Sequence, residues 1–281
     1  MDRLLEPFAY GFFRHATWVA VLAGGLCGLV GTYVVLRGMS YIGHGLSHAV
    51  FGGAAASFAL GANFYLGAFT WGFVSALLIH AVARRRTIGA DAAIGVITSV
   101  SFAIGIAIIS VSGGFTRNFE AALFGNVLGV TVSDVLVVAG VALATGCIVF
   151  FRYRALLFAT FDPEVAEVSG VGTKGIDATM AIVLASTITA TMNVVGVMLI
   201  AAVLVIPPVI ARLLTDSFHR MLWISVGTGA LCGFVGVYLS YYLNWSSGAT
   251  VVITAAVLFV AAYVVSTVRG RRIPDAGFEA H

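Results

Sequence analysis

Two histidines near the start of the chain are the residues whose type and spacing best fit a chemical role. In the segment SYIGHGLSH, residues 40–48, His44 and His48 stand four positions apart, so a helix would place both on one face. Imidazole nitrogen is a good ligand for zinc and related transition metals. The same spacing also fits two neutral histidines that hydrogen-bond to neighbouring helices. A tetrahedral zinc site would need further ligands from another segment or from water.

The composition places these histidines in a membrane protein. Of the 281 residues, 60% are hydrophobic and 10% are charged, whereas a soluble domain is about 45–50% apolar and about 25% charged. This balance excludes a soluble enzyme, a nucleic-acid-binding domain and a disordered chain. The net charge of +3 says little about nucleic acid, and no nucleic-acid partner is expected. Ionisable residues inside a membrane are costly and tend to mark transport pathways.

Long charge-free runs indicate where the chain crosses the membrane. A span needs about 20 apolar residues, and the runs are 15–36, 38–83, 92–116, 135–151, 178–211 and 221–268. Runs 38–83 and 221–268 can each hold two spans, with turns expected at Gly61–Asn63 and Asn244–Gly248. With the arginine clusters placed in the cytoplasm, residues 1–268 are predicted to form an all-α bundle of about eight or nine spans. Residues 269–281 form a polar C-terminal tail.

The run 178–211 is ambiguous, because it is too long for one span and short for two. We expect either two short helices or one helix with a re-entrant piece, with Pro207 and Pro208 breaking the second segment. Asn193 lies in this run and is a candidate for lining the same cavity as the histidines. Residues 115–134 are too polar for a good span and are expected to form an external re-entrant or interfacial helix.

The longest polar stretch, residues 152–177, is predicted to lie in the cytoplasm. Asp162-Pro163-Glu164 is typical of a helix start, with Asp as the cap, Pro at the first position and Glu in the first turn. Gly170 is expected to end this short amphipathic helix. The helix could be a solvated connector, or it could be a docking helix for a soluble partner.

Motifs for catalysis are missing from the sequence, which argues against an enzyme. The chain contains no GxxxxGK[ST], so it does not bind ATP through a P-loop, and it contains no HExxH and no GxSxG. A transport protein with no stably bound cofactor remains the best interpretation. Such a protein could be driven by a partner ATPase, or it could be a secondary transporter that works alone.

Five ordered blocks, spread over most of the chain, match a known family. The blocks are Arg37–Gly43 with Leu46–Val50, Asp91–Val96, Leu123–Gly129 with Asp134, Phe161–Ala166 with Gly170, and Val195–Leu214. In these blocks the chain resembles the membrane permease subunit of ATP-binding cassette (ABC) importers for zinc, manganese and iron. The resemblance implies a type II ABC-importer-like permease, multi-pass in a bacterial cytoplasmic membrane.

The resemblance also implies partners. Two permease copies would form a homodimer with a central pathway, and an extracytoplasmic metal-binding protein would deliver the metal. A separate ATPase subunit would dock on the cytoplasmic loop. The residues implied in this coupling are Asp162, Pro163, Glu164, Ala166 and Gly170.

The metal-contacting pair departs from the family pattern. In the family it is typically an Asp and a His; His48 corresponds to the His, and His44 occupies the Asp position. Replacing a carboxylate by an imidazole softens the ligand set, and softer ligands favour zinc over manganese. Zinc is therefore the predicted cargo, with manganese, iron or a metal chelate as the alternative.

Overall fold

In the computed structural model the described residues, 6–83, 90–111, 123–170, 172–268 and 270, are helical wherever they form regular structure. This confirms the all-α prediction for that part of the chain. The helices are α1 (Gly11–Leu36), α2 (Ser40–Ala59), α3 (Phe64–Ala83), α4 (Ala90–Val111), α5 (Val132–Phe151), α6 (Tyr153–Phe161), α7 (Pro163–Val168), α8 (Thr173–Val195), α9 (Ile200–Leu214), α10 (Phe218–Leu243) and α11 (Ser247–Val268).

The predicted count of eight or nine spans is not confirmed. Among the described residues, six helices are long and apolar enough to cross a membrane: α1, α4, α5, α8, α10 and α11. Helix α9 has only 15 residues, and α3 (Phe64–Ala83) is apolar over at least Phe64–Ile79. Helix α2 has the length of a span, but its two histidines and three serines make it less apolar than the six.

The ambiguous run 178–211 is divided at Gly196, between α8 and α9. Gly196 has φ +90°, a conformation that residues with a side chain rarely adopt. The prediction that Pro207 and Pro208 break the second segment is wrong, because both lie inside α9, which continues to Leu214. Pro208 cannot donate to the Leu204 carbonyl, and that oxygen packs against Gly31 of α1 instead, where an added Cβ would lie 1.9 Å from it.

The smaller predictions have mixed outcomes. The turns expected after α2 and after α10 are confirmed at residues 60–63 and 244–246. In the segment 115–134, residues 115–122 fall outside the described part, and residues 123–134 hold a 3₁₀ helix (Val127–Gly129) and the start of α5. This part is therefore not one continuous external helix. Arg84–Arg86, Arg117 and nearly all of the C-terminal tail also lie outside the described residues.

Helix α1 is the centre of the bundle and packs against α5, α8, α9 and α10. Its contact with α10 is a reciprocal glycine seam. A Cβ on Gly24 would lie 2.1 Å from the Gly229 oxygen, and a Cβ on Gly229 would lie 2.1 Å from the Gly24 oxygen. One turn away on each helix, Gly28 meets Ser225 and Gly233 meets Ala20 at similar distances. Two GxxxG patterns therefore bring the backbones together, as in helix pairs that associate within lipid.

This seam predicts that an alanine substitution lowers stability at one glycine of the α1–α10 pair and not at another. Gly24→Ala should destabilise the protein by about 1–3 kcal/mol, because the new methyl group overpacks against fixed backbone. Gly227→Ala on α10 is the matched control, because no atom lies within 4 Å of its added Cβ. Thermal unfolding in detergent measures both. Equal stability of the two variants would show that the seam does not hold α1 and α10 together.

Candidate metal site and docking helix

Helix α2 carries both histidines and is wedged between α3 and α4 by small residues. A Cβ on Gly52 would lie 2.2 Å from the Ser101 oxygen of α4, and a Cβ on Gly53 would lie 2.5 Å from the Gly67 oxygen of α3. Gly45 makes room for Ile94 of α4 in the same way. The glycines around the histidines therefore allow α3 and α4 to approach α2 closely, and they fix the direction in which the remaining face of α2 points.

His44 and His48 lie one above the other on that remaining face. Their ring centroids are 4.9 Å apart, and the His48 ring packs 4.8 Å from the ring of Phe102. His44 is exposed, as is Tyr41 one turn earlier, whereas His48 is half-buried. Nδ1 of His48 is buried and has no hydrogen-bond partner among the described residues. The described part of the fold therefore leaves at least one ring nitrogen of the pair without a partner.

Ser47 ties this face to the break between α8 and α9. Its hydroxyl is fully buried and lies 2.7 Å from the His44 carbonyl oxygen and 3.2 Å from the Val197 carbonyl oxygen. One hydroxyl proton therefore serves two acceptors, one in α2 and one in the non-helical segment 196–199. Irregular backbone beside an ion site is a recurring arrangement in transporters, where discontinuous helices line the binding site.

The described residues of one chain do not form a complete metal site. Within the described ranges, no three or more His, Cys, Asp or Glu residues are grouped so that they could hold a metal ion. Two imidazoles provide two of the four ligands that a tetrahedral site requires. The described residues therefore supply only part of such a site.

Asn193 lies in a different cluster from the histidines. Its side-chain nitrogen donates to the Tyr65 hydroxyl at 2.8 Å, and the Tyr65 hydroxyl in turn donates to Asp134. Asp134 also closes a capping box with Thr131 at the start of α5. A cavity of about 280 Å³ is lined by these residues together with Phe58, Phe64, Asn126, Gly129 and Val130. The lining does not include His44 or His48, so the prediction that Asn193 shares their cavity is not supported.

The short helix predicted after Asp162 is confirmed as α7. The Asp162 carboxylate accepts from the backbone N–H of Val165 at 2.9 Å, with Pro163 in the first turn. Gly170 follows the helix with φ +79°. Residues 152–161, expected to be part of a polar loop, mostly form the helix α6, and α8 begins at Thr173.

Helix α7 presents apolar side chains that the other described residues do not cover. Ala166 is fully buried against the bundle, and Glu164 and Glu167 are exposed. Val165 is 47% exposed and Val168 is 91% exposed. Apolar side chains displayed on a helix outside the spans are typical of an interaction surface.

Comparison with known proteins identifies the family of this chain. The sequence model of the ABC 3 transport family matches residues 9–266. The chain belongs to the ABC 3 transport family. It is 34% identical over 269 residues to the manganese transport system membrane protein MntC of Halalkalibacterium halodurans, covering 96% of this chain and 91% of that protein. It is also 34% identical over 263 residues to the chelated iron transport system membrane protein YfeC of Yersinia pestis, covering 94% and 89%.

A solved structure supports the same assignment. The chain superposes on PsaBC from Streptococcus pneumoniae in complex with Fab with a TM-score of 0.86 and 31% identity, covering 93% of this chain and 95% of that one. The resemblance seen in the sequence blocks is therefore confirmed. As an ABC 3 family member the protein is a multi-pass subunit of the cytoplasmic membrane and not an enzyme, and ATP hydrolysis belongs to a separate subunit.

The structure adds residues that sequence reasoning missed. Tyr65 bridges Asn193 and Asp134, and Ser47 joins α2 to segment 196–199. The Thr131-x-x-Asp134 spacing is a recognisable capping-box signal that could have placed the start of α5. No local signal could have found Ser47, because its second acceptor, Val197, is 150 residues away.

Proposed function

We propose that the chain is the permease subunit of an ATP-driven importer that moves a divalent transition metal, with manganese or iron as cargo. Relatives that cover more than nine tenths of this chain carry manganese or iron transport in their names. This favours the alternative cargo over the zinc that the ligand types alone predicted.

The observation that carries the proposal is the exposed imidazole face of α2. An ionisable side chain that faced lipid would be costly, and such residues normally face a bundle interior or a water-filled cavity. His44 and Tyr41 are exposed in the single chain. We infer that a second copy of the chain covers this face, so that two pairs of histidines converge on a central pathway.

A homodimer of this kind would complete the metal site. Each copy contributes His44 and His48, and the 4.9 Å separation of their rings suits shared ligation of one ion. A ring nitrogen binds a metal ion only when it carries no proton, so protons and the metal compete for these histidines. Ser47 hydrogen-bonds both to the His44 carbonyl and to the segment 196–199, so a movement of the pair would reach that segment.

Zinc remains a second candidate because of the ligand chemistry. Two imidazoles without a carboxylate beside them suit zinc, whereas manganese prefers oxygen ligands. Competition among the three metals in a reconstituted ATPase assay separates the two hypotheses, manganese or iron as the first and zinc as the second. Manganese or iron stimulation that excess zinc does not suppress supports the first, and stimulation by zinc alone supports the second.

The partners follow from the two faces of the protein. A separate ATPase would dock on α7 through Val165 and Val168, flanked by Asp162, Pro163, Glu164, Ala166 and Gly170. An extracytoplasmic binding protein would deliver the metal near Asn193, Tyr65 and Asp134, because the helix ends that carry these residues lie opposite the basic, cytoplasmic ends.

The histidine site is tested by metal uptake. His44→Ala together with His48→Ala should lower uptake at least about tenfold, because direct ligands contribute at least as much to affinity as the groups that orient them. His15→Ala is the control, since His15 is exposed at the start of α1, away from the pair. Uptake is measured in a strain that lacks its own importers for the metal. Unchanged uptake by the double variant would remove both residues from the site.

The docking surface is tested by co-purification with the ATPase subunit. Val165→Asp together with Val168→Asp should abolish co-purification, because burying two carboxylates in an apolar contact is unfavourable. Gly175→Asp is the control, as it adds a carboxylate in the first turn of α8, where a Cβ meets no atom within 4 Å. If the ATPase subunit still co-purifies with the double variant, the contact lies elsewhere.

A further inference from the structure

Arg37 is a buried cation in the short link between α1 and α2. Helix α1 ends at Leu36 and α2 begins at Ser40, yet the Arg37 side chain is only 9% exposed. Its Nη1 lies 3.0 Å from Asp177 Oδ1, and its Nε donates to Thr160 Oγ1 at 3.2 Å. The guanidinium is therefore held by two partners that are 123 and 140 residues distant in sequence.

These two partners flank the docking helix on either side. Thr160 is in the last turn of α6, two residues before Asp162, the residue that caps α7. Asp177 is in the second turn of α8, the helix that follows α7 after Gly172. Both chain segments that enter and leave α7 thus converge on one guanidinium.

On the other side, Arg37 leads directly into the metal-bearing helix. His44 follows Arg37 by seven residues and His48 follows it by eleven, which places them about one and two turns into α2. A displacement of the link at 37–39 would therefore move the imidazole pair along the helix axis by nearly the same distance, since a packed helix is rigid over two turns.

We propose that Arg37 is the positioning residue through which movement of the docking helix α7 reaches the histidines of α2. The inference rests on the proposed function, because it assumes that a partner ATPase drives α7. Removing a buried charge from its partner is strongly unfavourable. The segments around Thr160 and Asp177 and the link to α2 should therefore move as one unit.

The surroundings of Arg37 leave room for such movement. A cavity of about 450 Å³ lies between α1, α2, α3 and α8, with Arg37, Lys174 and Asp177 at its polar part and apolar side chains such as Ile42 and Leu184 elsewhere. Nη2 of Arg37 is buried without a hydrogen-bond partner among the described residues. This spare donor can take a new acceptor when α6 or α8 shifts, so the link can persist through two arrangements.

A static structural role makes a different prediction. If Arg37 only staples the helices together, its loss should lower ATP hydrolysis and metal uptake in parallel. If it transmits movement, its loss should leave hydrolysis in place and lower the number of metal ions moved per ATP. The ratio of the two rates is therefore the decisive quantity.

The test uses the whole transporter, with its ATPase subunit and binding protein, in proteoliposomes. ATP hydrolysis is measured together with uptake of whichever of Mn²⁺, Fe²⁺ or Zn²⁺ the wild type transports best. Arg37→Gln should lower the ions moved per ATP roughly tenfold, within the range of coupling free energies between sites. Asp177→Asn and Thr160→Val are milder variants that should lower the ratio in the same direction. They decide the matter if Arg37→Gln does not assemble.

Arg152→Gln is the matched control. Arg152 Nη1 donates to Thr179 Oγ1 at 3.1 Å, so it also joins the region of α6 to α8, but it does not touch the link to α2. Its ratio should equal that of the wild type. Unchanged ratios in the Arg37, Asp177 and Thr160 variants, or parallel losses of both rates, would overturn the inference while the proposed function stands. A wild type that moves none of the three metals would overturn both.

Discussion

An imidazole pair inside a membrane protein faces lipid only at a large cost, and the proposed role of α2 depends on that constraint. His44 is exposed on α2, and His48 on the same face is half-buried against Phe102 of α4. Glycines at 45, 52 and 53 bring α2 into close contact with α4 and α3 on its other sides. The open face must therefore meet water or another subunit. The proposed pathway between two copies would satisfy this requirement and would add the ligands that the described residues of one chain lack.

Backbone polar groups at the break between α8 and α9 also have hydrogen-bond partners. The break between α8 and α9 exposes backbone carbonyls and amides that lipid cannot satisfy. Asn126 N–H donates to the Asn193 carbonyl at 3.0 Å, Met198 N–H donates to the Leu123 carbonyl at 3.2 Å, and Ser47 approaches the Val197 carbonyl. The break is thus hydrogen-bonded to the segment before α5 on one side and to α2, the helix that carries the histidines, on the other. The interruption between α8 and α9 therefore links the segment before α5 to the helix that carries the histidines.

Sequence reasoning succeeded where the signal is local. The turn at Gly61–Asn63 and the Asp162 cap of α7 follow from turn and capping chemistry within a few residues, and the structure has both. It failed where the partner is distant. Pro207 and Pro208 do not break α9, because Gly31 of another helix accommodates the Leu204 carbonyl. Asn193 lies with Tyr65 and Asp134 rather than the histidines, and nothing within the run 178–211 indicates this. The choice of zinc rested on ligand type alone, while the names of near full-length relatives point to manganese and iron.

The central claim is that the α2 histidines of two copies together hold one transported ion. It is tested most directly by counting bound metal in the purified transporter by equilibrium dialysis and elemental analysis. The account predicts one ion per two permease chains, and no bound ion when His44 and His48 are both replaced by alanine. One ion per single chain, or an ion retained at the same ratio in the double variant, would contradict it.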